Sequence, residues 1–323
     1  MKIAFTLTDV QDLFLYGYLI DLYKKRNHSI YVYYDKISSK TTSVKKNKSI
    51  LDKFKGCIVV PYSRQEDCVE RLKIDDIDIV MTNEGMPFKY IVSLPCKMYA
   101  FSWTIEYMVH GHRFMPMCDV FFCDDPIVRS FNNFSEYSDM KVKDDSHPKY
   151  LWLNKSRNEL CNMLDLDPKE KYVTVLGPAP ALDYKPKRKE ISKLVKHFSK
   201  KGFKIVYKHK PKDKIVKVCD YDKKISNSVY NCSTSVLLSS ISDVVIGFNT
   251  SGIVESVHTR TPFINFFLKH NKVDYRKHWQ FKINNDFILR LDSYDKVQVN
   301  DFLSKNQDLE KREEYPLDEK LDI

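Results

Sequence analysis

Glycine is scarce in this chain, with 8 residues among 323, so each glycine at the end of an apolar run is informative. The 8 cysteines include no CxxC pair and no Cys/His ligand spacing, which leaves no sequence ground for a metal module. Several, including Cys57, Cys96 and Cys123, sit in or beside apolar runs, as buried reduced thiols do, and a reducing cytoplasm is the expected compartment. The longest apolar runs fall far short of the ~20 residues a membrane span needs, so no transmembrane segment is expected and only peripheral membrane contact stays open. The opening "MKIAFTLTDVQDLFLYGY" has acids where a signal peptide would want small residues, and reads as a first strand and helix. No G-x-G-x-x-G follows that strand, which argues against a nicotinamide enzyme. Asp76-Ile77-Asp78 matches D-x-D formally, but Asp78 precedes an apolar strand as turn residues do, and nothing else makes an oxygen-rich site. No metal and no other cofactor is expected.

Hydrophobic residues make up 43% of the chain, enough for sizeable cores, and the length suits two domains. The net charge is +10, a value that can signal nucleic acid or an anionic surface. Here the lysines are spread along the whole chain in short clusters, as on solvated faces, and no nucleic-acid motif accompanies them. No specific nucleic-acid partner is expected, and the oligomeric state is not legible.

Short apolar runs alternate with amphipathic segments. "KIAFTLT", "HSIYVYYD", "GCIVVPY", "DIDIVMTNEG", "CKMYAFSW" and "CDVFFCD" read as strands of a first half. "KYVTVLGP", "FKIVYKHK", "SDVVIG" and "PFINFF" read as strands of a second, separated by helical patterns such as "KRKEISKLVKHFSKKG" and "STSVLLSS". Such alternation predicts parallel sheets covered by helices. A polar stretch with His147-Pro148 lies between the halves, placing the boundary near residues 140–165. The expected architecture is α/β, with two tandem Rossmann-like domains over 1–150 and 151–323 and a cleft between them. "VQVNDFLSKNQDLEKREEY" predicts a closing helix capped by Asn300, then a frayed acidic end.

Open parallel sheets bind ligands beyond the carboxyl ends of their strands. The most informative stretch is therefore "SDVVIGFNTSGIVESVHTRTPFINF", residues 242–266. Gly247 would allow a sharp turn after the strand, and Thr250 or Ser251 would cap the next helix. Beside Asn249, Thr250 and Ser251, the first helical amides suit a diphosphate, which Gly252 would admit to the backbone. Glu255, one turn on, can accept the ribose hydroxyls of a nucleotide. The plainer reading is a capped helix with a solvated Glu255. Lys208, His209 and Lys210 leave the end of "FKIVY", where two cations and an imidazole would offset charge on a departing diphosphate; otherwise they form a solvated basic loop. Gly177, in "LGPAPALDYK", would let a phosphate or base come close, or simply serve a turn forced by Pro178 and Pro180.

The order of these motifs resembles glycosyltransferases of the GT-B fold and their relatives. These relatives include UDP-N-acetylglucosamine 2-epimerases, CDP-glycerol glycerophosphotransferases and bacterial sialyl- and polysialyltransferases. Four stretches carry the resemblance: "LCNMLDLDPKEKYVTVLGP", "FKIVYKHKPKD", "SDVVIGFNTSGIVESVHTRTPFINF" and "DFLSKNQDLEKREEY". The second resembles the basic His-Pro loop that meets donor phosphates, although Lys210 separates His209 from Pro211. The third resembles the loop and Glu-bearing helix that bind phosphate and ribose. Glu84, before Gly85 in "TNEGM", is similar to the sialyltransferase-type acid that deprotonates the acceptor. His110-Gly111 is similar to the glycerophosphotransferase His-Gly, so Glu84 and His110 compete for one role. Trp103 and Glu106 would face a sugar acceptor. The resemblance implies metal-independent transfer of a sugar, or a related group, from a nucleotide-activated donor to a hydroxyl of a sugar or glycan, as in polysaccharide biosynthesis. An epimerase on the same fold is the alternative within enzymes. Ile253 and Ser256 stand where epimerases usually have a second glycine and a second acid, which favours the transferase. A non-catalytic nucleotide- or sugar-binding scaffold is the alternative outside enzymes.

Overall fold

The computed structural model describes residues 1–7, 12–36, 54–83, 94–101, 118–122, 142–143, 147–179, 182–209, 217–225, 234–250, 252–270, 283, 286–312 and 314–323. The chain divides into two compact units. One is Met1–Trp152 with Tyr315–Ile323, the other Leu153–Tyr230 with Thr234–Glu314.

The N-terminal unit is built on a parallel sheet of seven strands. They are β1 (Lys2–Leu7), β2 (Ser29–Asp35), β3 (Ile58–Tyr62), β4 (Ile79–Asn83), β5 (Lys97–Phe101), β6 (Val120–Phe122) and β7 (Val142–Lys143). Their order is β3-β2-β1-β4-β5-β6-β7. β1 is buried from Ile3 through Leu7, the near-continuous apolar run expected of a strand covered on both faces. Helix α1 (Asp12–Lys25) buries Leu13, Tyr16, Leu19, Ile20 and Tyr23, at helical spacing, in the same core cluster as Ile3, Phe5 and Val32. Helix α2 (Gln65–Ile74) buries Cys68, Val69 and Leu72.

The end of the chain corrects two expectations. Leu321 is fully buried in the N-terminal unit's core cluster, and its carbonyl accepts a 2.6 Å hydrogen bond from the Tyr23 hydroxyl. The last residues are therefore packed rather than frayed, and they belong with the first unit rather than with a domain running to 323. Leu321 anchors the segment with Leu317 and Ile323 packed against the same cluster, while Glu319 and Asp322 stay exposed to solvent, so the burial desolvates neither carboxylate.

The C-terminal unit carries a parallel sheet of six strands. With β9 (Leu182–Asp183) and β14 (Lys269–His270) forming a small antiparallel pair, the six are β8 (Tyr172–Leu176), β10 (Lys204–Lys208), β11 (Lys223–Ile225), β12 (Val244–Gly247), β13 (Phe263–Phe266) and β15 (Ile288–Leu291). Their order is β11-β10-β8-β12-β13-β15. Helix α3 (Arg157–Met163) opens with a capping box in which Ser156 and Glu159 bond each other's backbone amides. Helix α4 (Arg188–Lys200) buries Ile191, Leu194, Val195 and Phe198, each side chain contributing about 1.5–3 kcal/mol on full burial. Its lysines face outward. Helices α5 (Thr234–Ile241) and α6 (Gly252–His258) follow, and α7 (Lys296–Lys305) closes the unit. Asp295 caps α7, its carboxylate accepting from the Val297 and Gln298 amides at 2.8 and 3.1 Å. Asn300, expected as the cap, lies inside the helix and accepts from Lys201 instead. Asp295 wins because a charged acceptor reaches two orphan amides at once.

Candidate functional site

In both sheets the strand order reverses beside the first strand, between β1 and β4 and between β8 and β12. This is the doubly wound pattern, and such a reversal opens a crevice at the carboxyl ends of the two strands. In the C-terminal unit three of the motifs read from sequence converge there. Gly177 follows β8, Lys208 ends β10 with His209 after it, and Gly247 ends β12 ahead of Asn249, Thr250 and Gly252. Registration is tight: Lys208 pairs with Leu176, and the Gly177 amide donates to the Lys208 carbonyl at 2.8 Å. Lys208 and His209 are both half-buried.

The three glycines have packing reasons that the sequence did not reveal. A Cβ on Gly177 would lie 2.6 Å from the Tyr207 hydroxyl, so this space is filled by the chain's own side chain. A Cβ on Gly247 would lie 2.4 Å from Phe263 and 2.7 Å from Thr250. Gly247 is thus a close-approach position, and the left-handed residue of the turn is Asn249, at φ 47°. A Cβ on Gly252 would lie 2.4 Å from Leu176 Cδ1. Gly252 therefore lets α6 seat against the end of β8.

Asn249 pins the turn. Its amide donates to Asn265 Oδ1 at 3.1 Å and its Nδ2 to the Leu268 carbonyl at 2.6 Å. Asn265 lies on β13 opposite Gly247 and is fully buried. Its role was not legible, because an asparagine inside "PFINFF" looks like any polar residue on a strand. Among the described residues, Asn249 Oδ1 and Asn265 Nδ2 are buried without a hydrogen-bond partner, polar capacity left over at the crevice.

Helix α6 begins by capping itself: the Gly252 amide donates to Thr250 Oγ1 at 3.3 Å, and the Ile253 amide to the Thr250 carbonyl at 3.4 Å. An anion arriving here would compete with a long, neutral cap, the weaker kind. Glu255 is half-buried on the first turn of α6, with Oε2 shielded from solvent. The thirteen residues singled out from sequence are thus only partly placed. Glu84, Trp103, Glu106, His110, Lys210 and Ser251 lie outside the described residues.

The N-terminal unit adds a polar cluster that sequence reading missed. At the reversal between β1 and β4, Thr6 Oγ1 donates to Thr82 Oγ1 at 2.9 Å and Asn83 Nδ2 to Asp12 Oδ1 at 2.7 Å. Asp12 is fully buried, and Asn83 immediately precedes Glu84 in the chain. An acid at a helix start is indistinguishable in sequence from an ordinary solvated first-turn residue. The Asp76-Ile77-Asp78 triplet has structural work: Asp78 Oδ2 accepts from the Lys2 amide at 2.8 Å, and Asp76 lies 3.7 Å from the Lys2 ammonium. The six described cysteines are free thiols. Cys68, Cys118, Cys161 and Cys219 are buried, whereas Cys57 and Cys96 are only half-buried. Among the described residues no helix is long and apolar enough to cross a membrane.

No protein-family model matches the chain, and no curated protein does. Solved structures do match in fold. A Listeria monocytogenes protein described as a candidate UDP-N-acetylglucosamine 2-epimerase superposes with a TM-score of 0.61 at 9% identity, over 99% of this chain and 94% of its own. The UDP-GlcNAc 2-epimerase of Neisseria meningitidis, bound to UDP-GlcNAc, gives 0.57 at 9% identity, over 100% and 98%. The glycotransferase of kitacinnamycin gives 0.55 at 11% identity, over 99% and 93%. The chain has the GT-B type of fold, two Rossmann-like α/β units in tandem.

Proposed function

We propose that the protein is a metal-independent glycosyltransferase that takes a sugar, or a related group, from a nucleotide-activated donor to a hydroxyl acceptor. The observation that carries the reading is the convergence of Gly177, Lys208-His209, Asn249, Thr250, Gly252 and Glu255 at the strand-order reversal of the C-terminal sheet. Those positions suit the donor nucleotide: Glu255 for the ribose hydroxyls, Thr250 and the start of α6 for phosphate, and Lys208, His209 and Lys210 for the charge on the leaving diphosphate. The acceptor hydroxyl would lose its proton to Glu84 or His110 as the bond from the anomeric carbon to the donor phosphate breaks. Trp103 and Glu106 would hold the acceptor sugar. The fold likeness to proteins named as epimerases supports a second reading, an epimerase acting on the same donor site.

Calorimetry with uridine, UDP and their cytidine equivalents tests the donor site. Glu255→Ala should weaken nucleoside and nucleotide alike by about ten- to a hundredfold, the worth of a charged hydrogen bond. Equal, small effects on every ligand would remove the assignment. Donor turnover that depends on an added acceptor supports the transferase, whereas turnover indifferent to acceptor supports the epimerase. Glu84→Gln and His110→Asn then identify the base, whose loss should cut turnover by ~100- to 10,000-fold with donor binding intact.

A further inference from the structure

At the amino ends of the strands of the C-terminal sheet, opposite the candidate donor site, lies a cavity of about 650 Å³. Its volume is that of an ordinary small-molecule site. Lys171 enters it from before β8, Lys201 from before β10, Arg260 from before β13 and Lys311 from beyond α7. Among its described lining residues Asp243 is the one carboxylate facing these four cations, and Asp243 Oδ2 already accepts from the Tyr172 amide at 2.8 Å. Asn300 and Ser304 add hydrogen-bonding groups, and Phe203 and Pro262 add apolar wall.

Two of these cations have hydrogen-bond partners for their side chains. Lys311 donates to the carbonyls of Ser240 and Ser242, and Lys201 to Asn300 Oδ1 at 2.8 Å. Burial pushes the Lys311 ammonium down to about 8, with Asp243 opposing the fall and Arg157 adding to it; a lysine so placed gains from a further negative charge. Arg260 is exposed, as are Lys171 and Lys201. It stands at φ 53° just past the end of α6, where its amide bonds Val257 and the Thr261 amide bonds Ser256. That is the left-handed position glycine normally takes after a helix, so a guanidinium there is present at a backbone cost.

We propose that this cavity is a second ligand site, one that takes a small phosphorylated metabolite of sugar-phosphate size. Arg260 and Lys201 meet the phosphate, and the amide and hydroxyl groups meet the hydroxylated body. Arginine and lysine from separate elements give a phosphate several charge-assisted donors.

Arg260→Gly is the decisive variant, because it removes the guanidinium while relieving the left-handed backbone. Calorimetry with glucose 1-phosphate and pyrophosphate on the full chain should show affinity lost at least tenfold in Arg260→Gly and in Lys201→Ala, with the melting temperature of Arg260→Gly equal to or above wild type. Lys189→Ala, an exposed cation on α4 outside the cavity, controls for net charge and should bind as wild type. The proposal is overturned if Arg260→Gly retains wild-type affinity, if neither probe binds wild type at millimolar concentration, or if Lys189→Ala loses as much as Arg260→Gly.

Discussion

Leu176 Cδ1 occupies the space that a Cβ on residue 252 would need, 2.4 Å from its ideal position. The end of β8 and the start of α6 are thereby locked together at the reversal of strand order, where Leu176 and Gly252 are both buried. Gly252→Ala should therefore lower stability by about 1–3 kcal/mol through overpacking, despite the better helix propensity of alanine. In the Gly252→Ala background, Leu176→Ala should cost less than it does alone, with a coupling of about 0.5–3 kcal/mol in a double-mutant cycle followed by urea denaturation. Strict additivity would mean that the two residues do not share this space.

Asn249 combines a left-handed backbone with a side-chain bond to Leu268. Asn249→Gly keeps the backbone and loses the bond, and Asn249→Ala loses both. Denaturation should rank them wild type, glycine, alanine, the last two separated by roughly 1–2 kcal/mol for the cost of a left-handed non-glycine residue. Alanine equal to or better than glycine would show that the turn does not depend on this conformation.

His209 is half-buried and follows β10 at the crevice. If it meets donor phosphate, His209→Ala should weaken UDP by about tenfold or more, the worth of a charged hydrogen bond. Uridine binding should be unchanged. Calorimetry with the pair of ligands reads the difference, and a parallel loss on both would place the imidazole elsewhere.

His197 on α4 is buried, with Nδ1 3.1 Å from the Tyr294 hydroxyl. Burial, helped by the charges of Lys201 and Lys296, holds its proton affinity below the ordinary value, against a raising contribution from Asn300. Below about pH 6.5 the unfolded chain takes up a proton there that the folded chain resists, so stability falls as pH drops through that value. His197→Gln should flatten the decline between about pH 6.5 and 5, read as the difference between the two denaturation profiles; parallel profiles would deny the effect.

The alternation of strand and helix was legible because it is local. Lys2–Leu7, Tyr172–Leu176 and Val244–Gly247 are strands buried on both faces, and continuous apolar character shows in any short window. The spacing of Ile191, Leu194, Val195 and Phe198 likewise marks one face of a helix before any partner is known. Residues 177, 208, 209, 249, 250, 252 and 255 could be singled out as a candidate set for the same reason, since each lies just after an apolar strand.

Only tertiary structure decided which strands lie side by side. The order that places β8 between β10 and β12, and so brings Gly177, Lys208 and Gly247 to one crevice, depends on pairings between residues about 30 to 70 positions apart. No local pattern encodes those pairings. The reasons for the glycines belong to the same level, because Leu176, Tyr207 and Phe263 become their neighbours only once the sheet forms. So does the burial of Leu321 against Tyr23, 298 residues away. Sequence by itself determined what each segment becomes. Close packing, which couples residues without regard to their separation along the chain, decided which segments lie together.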